Sequence, residues 1–241
     1  MNFEEKQIEH KSVRSLVWQG DDLIDWVSGG SRFTVSGEII PASVYFAGDF
    51  DSAIASKSGD IVVIYKQLGT KAIILENHNF VREINRSYYH ADAYEYPICL
   101  WEKEGEPTSI IHCPDDYNQL VIEDALTGER FSPTSERNSP DFFHSRLSLN
   151  PSGTCLMSAG WVWHPMDIAN IYRLPSSTGE FDLDSAFATI DTANEASTCT
   201  WINDESLIAA NSDEFEYDED DPFTTGALAV WSIKSLSLIH I

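Results

Sequence analysis

Positive charge is scarce in this sequence: 15 Lys and Arg face 39 Asp and Glu over 241 residues, a formal net charge of -24. A chain of that sign repels nucleic-acid phosphate and anionic lipid surfaces and attracts basic partners over a Debye length. Direct nucleic-acid binding and a membrane-surface role are therefore excluded as readings. Cysteine is sparse too. Cys99, Cys113, Cys155 and Cys199 lie far apart and outside any Cys-x-x-Cys pattern, which fits neither a zinc site nor a compact disulfide scaffold and leaves buried free thiols. No run reaches the roughly 18 apolar residues of a membrane span. Residues 1–11 are polar and charged, without the basic start and apolar stretch of a secretory signal, so the expectation is a soluble, cytoplasmic protein.

Recognisable catalytic phrases are also missing. There is no Gly-rich phosphate loop, no Gly-x-Ser-x-Gly elbow and no His-Glu-x-x-His helix. The nearest phrase, Val27-Ser28-Gly29-Gly30-Ser31, reads as a hairpin turn. His10, His78, His90, His112, His144, His164 and His240 show no ligand spacing, so neither a metal nor another cofactor is expected, and the chain reads as non-enzymatic.

What is present is β-structure. Helical periodicity is nearly absent, whereas short β-branched and aromatic runs recur between turn signals across one undivided domain, 1–241. Residues 52–59 run into 60–65 as strand, Ser58-Gly59 turn, strand. Residues 207–212 and 226–231 repeat the phrase with a long insertion. Residues 147–160 carry it around the turn Asn150-Pro151-Ser152-Gly153 and continue into 169–174. Residues 120–131 turn at Thr127-Gly128, and 15–35 hold a shorter copy. Tyr65, Asp124, Tyr172 and Trp231 align as equivalent strand ends about 48 to 59 residues apart, the length of one four-stranded blade plus insertions.

The turn at 150–153 and the strand end Val230-Trp231-Ser232 resemble, in degenerate form, the phrases of the WD-repeat type of β-propeller. The resemblance spans roughly residues 13–241 and is one of architecture, without a complete Gly-His and Trp-Asp pair. It implies an all-β propeller of about five four-stranded blades, either a closed ring or part of a larger one. A β-sandwich of similar hairpins is the alternative.

One segment is compositionally extreme: Asp213, Glu214, Phe215, Glu216, Tyr217, Asp218, Glu219, Asp220 and Asp221 place seven acids around two aromatics. A Ca²⁺ loop would need an internal Gly and an Asp-x-Asp-x-Asp order, and the run has neither. A solvated, self-repelling loop is one reading. A docking element whose carboxylates meet Lys and Arg while the rings supply apolar anchors is the other.

In a blade with strands a to d, the b–c and d–a connections emerge on one side. That rule collects the acidic run, the b–c stretch with Trp161, Trp163 and His164, the b–c stretch with Asp115 and Asp116, and a d–a connection over 77–96 with Tyr88, Tyr89 and Tyr94. The function expected is recognition of a basic protein through this loop face, in its most concrete form an immunity-type inhibitor of a basic toxin. Two alternatives stand beside it. One is a glycosidase-like propeller, whose carboxylate pair would leave no sequence spacing. The other is a general WD-repeat-like scaffold.

Overall fold

The computed structural model describes residues 5–10, 12–42, 44–131, 137–163, 166–175, 181–190, 195–211, 223, 226–235 and 237–240. Among these residues the regular elements are β-strands, paired antiparallel in chain order within five sheets. The chain divides into two compact units, Met1–Asn85 and Arg86–Ile241.

The first unit holds two sheets. One comprises β1 (Val17–Gln19), β2 (Asp22–Asp25), β3 (Ser31–Phe33) and β4 (Ile39–Ile40); the other comprises β5 (Ser52–Ala55), β6 (Ile61–Tyr65), β7 (Lys71–Glu76) and β8 (Asn79–Asn85). β6 and β7 carry continuous branched runs, buried on both faces, because they are the inner strands of their sheet. Ile24 and Trp26 pack against Val62, Ile64, Ile73 and Leu75 to form the core of the unit. The expected turn at 27–31 is present: Gly29 and Gly30 donate their N–H groups to Trp26 O and Asp25 O. Buried Asp25 accepts the N–H groups of Arg14, Ser15 and Ser28, which ties the entering chain to that turn.

The second unit holds three sheets. The first has β9 (Ile98–Trp101), β10 (Ser109–His112) and β11 (Val121–Asp124). The next has β12 (Leu147–Leu149), β13 (Cys155–Val162), β14 (Met166–Arg173) and β15 (Ala188–Ile190). The last has β16 (Ala196–Trp201), β17 (Ser206–Asn211), β18 (Leu228–Ser232) and β19 (Ser237–His240). Apolar side chains fill the spaces between successive sheets. Cys99, Ile111 and Ile122 meet Leu156 and Tyr172, and Met157, Ala169 and Ile171 meet Leu207 and Ala229. All four thiols are free, three of them buried and Cys199 half-buried. Burial pushes the Cys199 thiol up to about 12, so it is protonated and inert at neutral pH.

Three details differ from the sequence reading. Tyr65 ends the second strand of its sheet, whereas Asp124, Tyr172 and Trp231 lie on third strands. The strands of a meander share the same alternation, so a repeat aligned on apolar runs alone slips by one strand. Residues 79–85, expected within a loop, form the outer strand β8. Its turn is Asn77-His78, both with positive φ (48° and 68°), a two-residue hairpin made without glycine. Finally, among the described residues the sheet of β9–β11 has three strands, and residues 129–131 pair beside β11 through a bridge between Glu123 and Arg130, with Asp124 N–H to Glu129 O and Phe131 N–H to Ile122 O each at 2.8 Å. The Thr127-Gly128 reversal is built as expected, with Asp124 Oδ1 accepting the N–H groups of Leu126 and Thr127.

Candidate functional site

β13 is longer than its neighbour β12. Leu156, Met157 and Ser158 pair with β12, but beyond them β13 meets a different segment: Phe143 bridges Trp161, with Phe143 N–H to Trp161 O at 2.9 Å and the return bond at 3.3 Å. Arg146 Nε donates to Ala159 O at 2.9 Å and extends the same edge. Gly160 permits this approach, because a Cβ there would lie 2.0 Å from Phe143 O and 2.8 Å from the Phe142 ring. The backbone contact brings the Phe143 ring flat against Trp161, centroids 3.9 Å apart and planes 2° apart.

Phe143 is buried at the centre of an aromatic cluster. Tyr117, from the β10–β11 connection, stacks on it at 4.3 Å, and Trp163 meets it edge-on at 5.4 Å. Tyr89, Tyr94 and His90, from the connection between β8 and β9, reach it at 5.9, 5.3 and 6.1 Å. Rings from three separate chain segments thus converge on the side chain of a fourth. The outer members face solvent: Tyr89 is 45% exposed and Trp163 43%, and Tyr88, next to Tyr89 in the chain, is 82% exposed. His90 is exposed as well.

The tyrosine-bearing connection is shaped from beneath by Arg86. Its buried guanidinium donates to Ala91 O at 2.7 Å, Tyr94 O at 2.9 Å and Glu95 O at 3.2 Å, and it lies 4.4 Å from the Tyr94 ring centroid and 5.0 Å from that of Tyr96. Burial lowers its pKa, yet an arginine remains charged, and three carbonyl dipoles and two ring faces offset the lost hydration. Tyr94 is buried and its hydroxyl is pushed up to about 12 by desolvation against the opposing pull of Arg86. Tyr94 therefore supports the surface rather than forming it.

Carboxylates border the rings. The Tyr117 hydroxyl donates to Asp141 Oδ1 at 2.6 Å, and this bond, followed by desolvation, pushes its pKa up to about 12. Exposed Asp116 adjoins the same tyrosine. Asp115 is exposed but engaged by Arg130, at 2.6 and 3.2 Å. Asp167 pairs with Arg146 at 3.5 Å.

Of the residues singled out from sequence, the structure brings Trp161, Trp163, Tyr89 and Tyr94 into one cluster. Tyr88 sits on the same connection as Tyr89, and Asp116 lies beside Tyr117. Asp115 is already paired. His164 and the acidic run Asp213, Glu214, Phe215, Glu216, Tyr217, Asp218, Glu219, Asp220 and Asp221 lie outside the described residues. Phe223, just beyond that run, is buried, and its carbonyl accepts from Asn211 Nδ2 at 2.7 Å. Sequence reading missed Phe143, Tyr117 and Asp141. The adjoining phrase Asp141-Phe142-Phe143 was the available signal, but a Phe pair outside the alternating runs reads as ordinary core.

The successive antiparallel meanders with intervening apolar layers define a β-propeller fold, rather than a sandwich. Two solved structures are similar. One is the β-propeller domain of Cps50 (Swd1) from Myceliophteria thermophila, at a TM-score of 0.58 and 15% identity, covering 98% of this chain and 75% of that one. The other is hydrazine synthase from Kuenenia stuttgartiensis, at a TM-score of 0.60 and 8% identity, covering 100% of this chain and 70% of that one. At such identities the likeness is one of fold. No protein-family model matches the sequence, and no curated protein matches it. Among the described residues no helix is long and apolar enough to cross a membrane.

Proposed function

We propose that this chain is a non-enzymatic binding protein that recognises a basic protein through the aromatic surface built around Phe143. The observation that carries this reading is the convergence of Tyr89, His90, Tyr117, Trp161 and Trp163 from separate segments, with large rings left in solvent. An exposed aromatic group on a rigid support is the composition of an interface centre. The net charge of -24 adds long-range attraction for a cationic partner. On this reading the run 213–221 steers the encounter, while the rings retain the partner.

The narrowest form of the proposal is an immunity protein that neutralises a basic toxin, which would offer the complementary charge. Its test is growth rescue: co-expression with a basic toxin encoded next to this chain restores growth, and an absence of rescue removes that form. The broader form is tested by replacing Asp218, Glu219, Asp220 and Asp221 with the corresponding amides and measuring association with a basic protein. The expected result is slower association and a weaker dependence on salt. Identical rates at low and high ionic strength, with and without the substitutions, would overturn the steering role.

A further inference from the structure

We infer that the group this surface accepts from its partner is an arginine side chain, the guanidinium lying against the exposed Tyr89 ring and forking onto the Asp141 carboxylate. The inference rests on the basic-partner reading above and names the chemistry that the reading leaves open. Tyr89 and Tyr117 have ring centroids 5.0 Å apart, and the Tyr117 hydroxyl is 2.6 Å from Asp141 Oδ1. Tyr117 thus joins an exposed ring to an exposed carboxylate, its own ring against Tyr89 and its hydroxyl on Asp141.

Asp141 is open to such a partner. Among the described residues no cation pairs with it, and the hydroxyl of Tyr117 occupies only one of its oxygens. The neighbouring arginines are committed elsewhere: Arg130 to Asp115 at 2.6 Å, Arg146 to Asp167 at 3.5 Å, and Arg137 to Asp184 and, at 2.6 Å, to Leu120 O.

Arginine suits this site better than lysine for a physical reason. A guanidinium is weakly hydrated, stacks on aromatic faces and presents paired N–H groups to a carboxylate, whereas an ammonium is a strongly hydrated point charge. The chain already uses the same pairing inside this connection, where the guanidinium of Arg86 lies 4.4 Å from the Tyr94 ring centroid and 5.0 Å from that of Tyr96.

The test is calorimetric titration of the full chain, at low salt, with hexa-arginine, hexa-lysine and hexacitrulline. Hexa-arginine is expected to bind about fivefold more tightly than hexa-lysine, the worth of one exposed cation–π contact, with hexacitrulline weakest. That preference should vanish in Asp141→Asn, which keeps the shape of an exposed side chain, and in Tyr89→Leu. Equal affinity for the arginine and lysine peptides overturns the arginine inference and leaves the basic-partner reading standing. Failure of both peptides to bind overturns both. Citrulline matching arginine shows stacking without charge pairing and also overturns the inference, and a preference that survives Asp141→Asn removes the site from this position.

Discussion

At the scale of single residues, the surface depends on one missing side chain. Gly160 is needed for contact and not for backbone freedom, since the space its Cβ would enter is held by the carbonyl of Phe143 and the ring of Phe142. Gly160→Ala must push the 142–143 segment off β13, and overpacking of this kind costs about 1 to 3 kcal/mol. Chemical denaturation should show that loss. Near-ultraviolet dichroism should also change, because the Phe143–Trp161 stack at 3.9 Å depends on the same contact. A variant with unchanged stability and an unchanged aromatic signal would show that the edge of β13 tolerates the shift. His90 contributes in a different way. With φ at 50° it occupies the left-handed region as a non-glycine, a strained geometry that turns its ring toward Tyr89 at 4.5 Å.

At the scale of elements, the β8–β9 connection is organised by a cation under its backbone rather than by a sheet. Arg86 holds three carbonyls; Glu95 O also accepts from Ser145 Oγ at 3.2 Å, whereas Ala91 O and Tyr94 O depend on the guanidinium. Arg86→Leu should cost at least about 2 kcal/mol through those orphaned acceptors. The loss should be local, read as faster amide exchange and proteolytic cleavage within 86–97. Arg86→Lys should rescue little, because one ammonium cannot span the three acceptors in the geometry of a planar fork. Full rescue by Lys would mean that charge alone shapes the loop. The Arg137–Asp184 pair ties residue 137 to the β14–β15 connection in a comparable way: burial works to raise the Asp184 carboxyl, but hydrogen bonds from Arg137 and Ser139 outweigh it and hold the pKa low.

At the scale of the whole molecule, stability should depend on pH through a neutral buried histidine. His144 lies under Phe142 and Tyr172, with Nδ1 3.1 Å from Ser158 Oγ, and burial lowers its pKa to about 3. Above about pH 6.5 the side chain is neutral in both folded and unfolded states and contributes no slope. Between about pH 6.5 and pH 3 the unfolded chain binds a proton that the folded chain refuses, so stability falls with pH by up to about 1.4 kcal/mol per pH unit. Denaturation midpoints measured from pH 7 to pH 4 should show this slope, and His144→Gln should flatten it. A slope unchanged by the substitution would assign it to other groups. Charge acts at the same scale: the net -24 spreads a field over the surface whose reach shrinks from about 30 Å at 0.01 M salt to about 8 Å at 0.15 M.

The class of fold was legible because alternation and turn chemistry are local. Ser58-Gly59, Asn150 to Gly153 and Thr127-Gly128 each reverse the chain where their residues say they should, and the branched runs of β6 and β7 mark buried strands. The net charge was legible as well, since charge is a sum over residues. Strand rank within a blade was not, because Tyr65 and Tyr172 end similar runs and only pairing tells second strand from third. Nor was the centre of the aromatic cluster. Phe143 lies far in sequence from Tyr89 and outside any alternating run, and it becomes central only because β13 extends past β12 and Gly160 lets another backbone close on it. The sequence determined the net charge and which runs become strands; the tertiary packing decided how those strands rank and which rings meet, since both depend on distances between segments that no local pattern encodes.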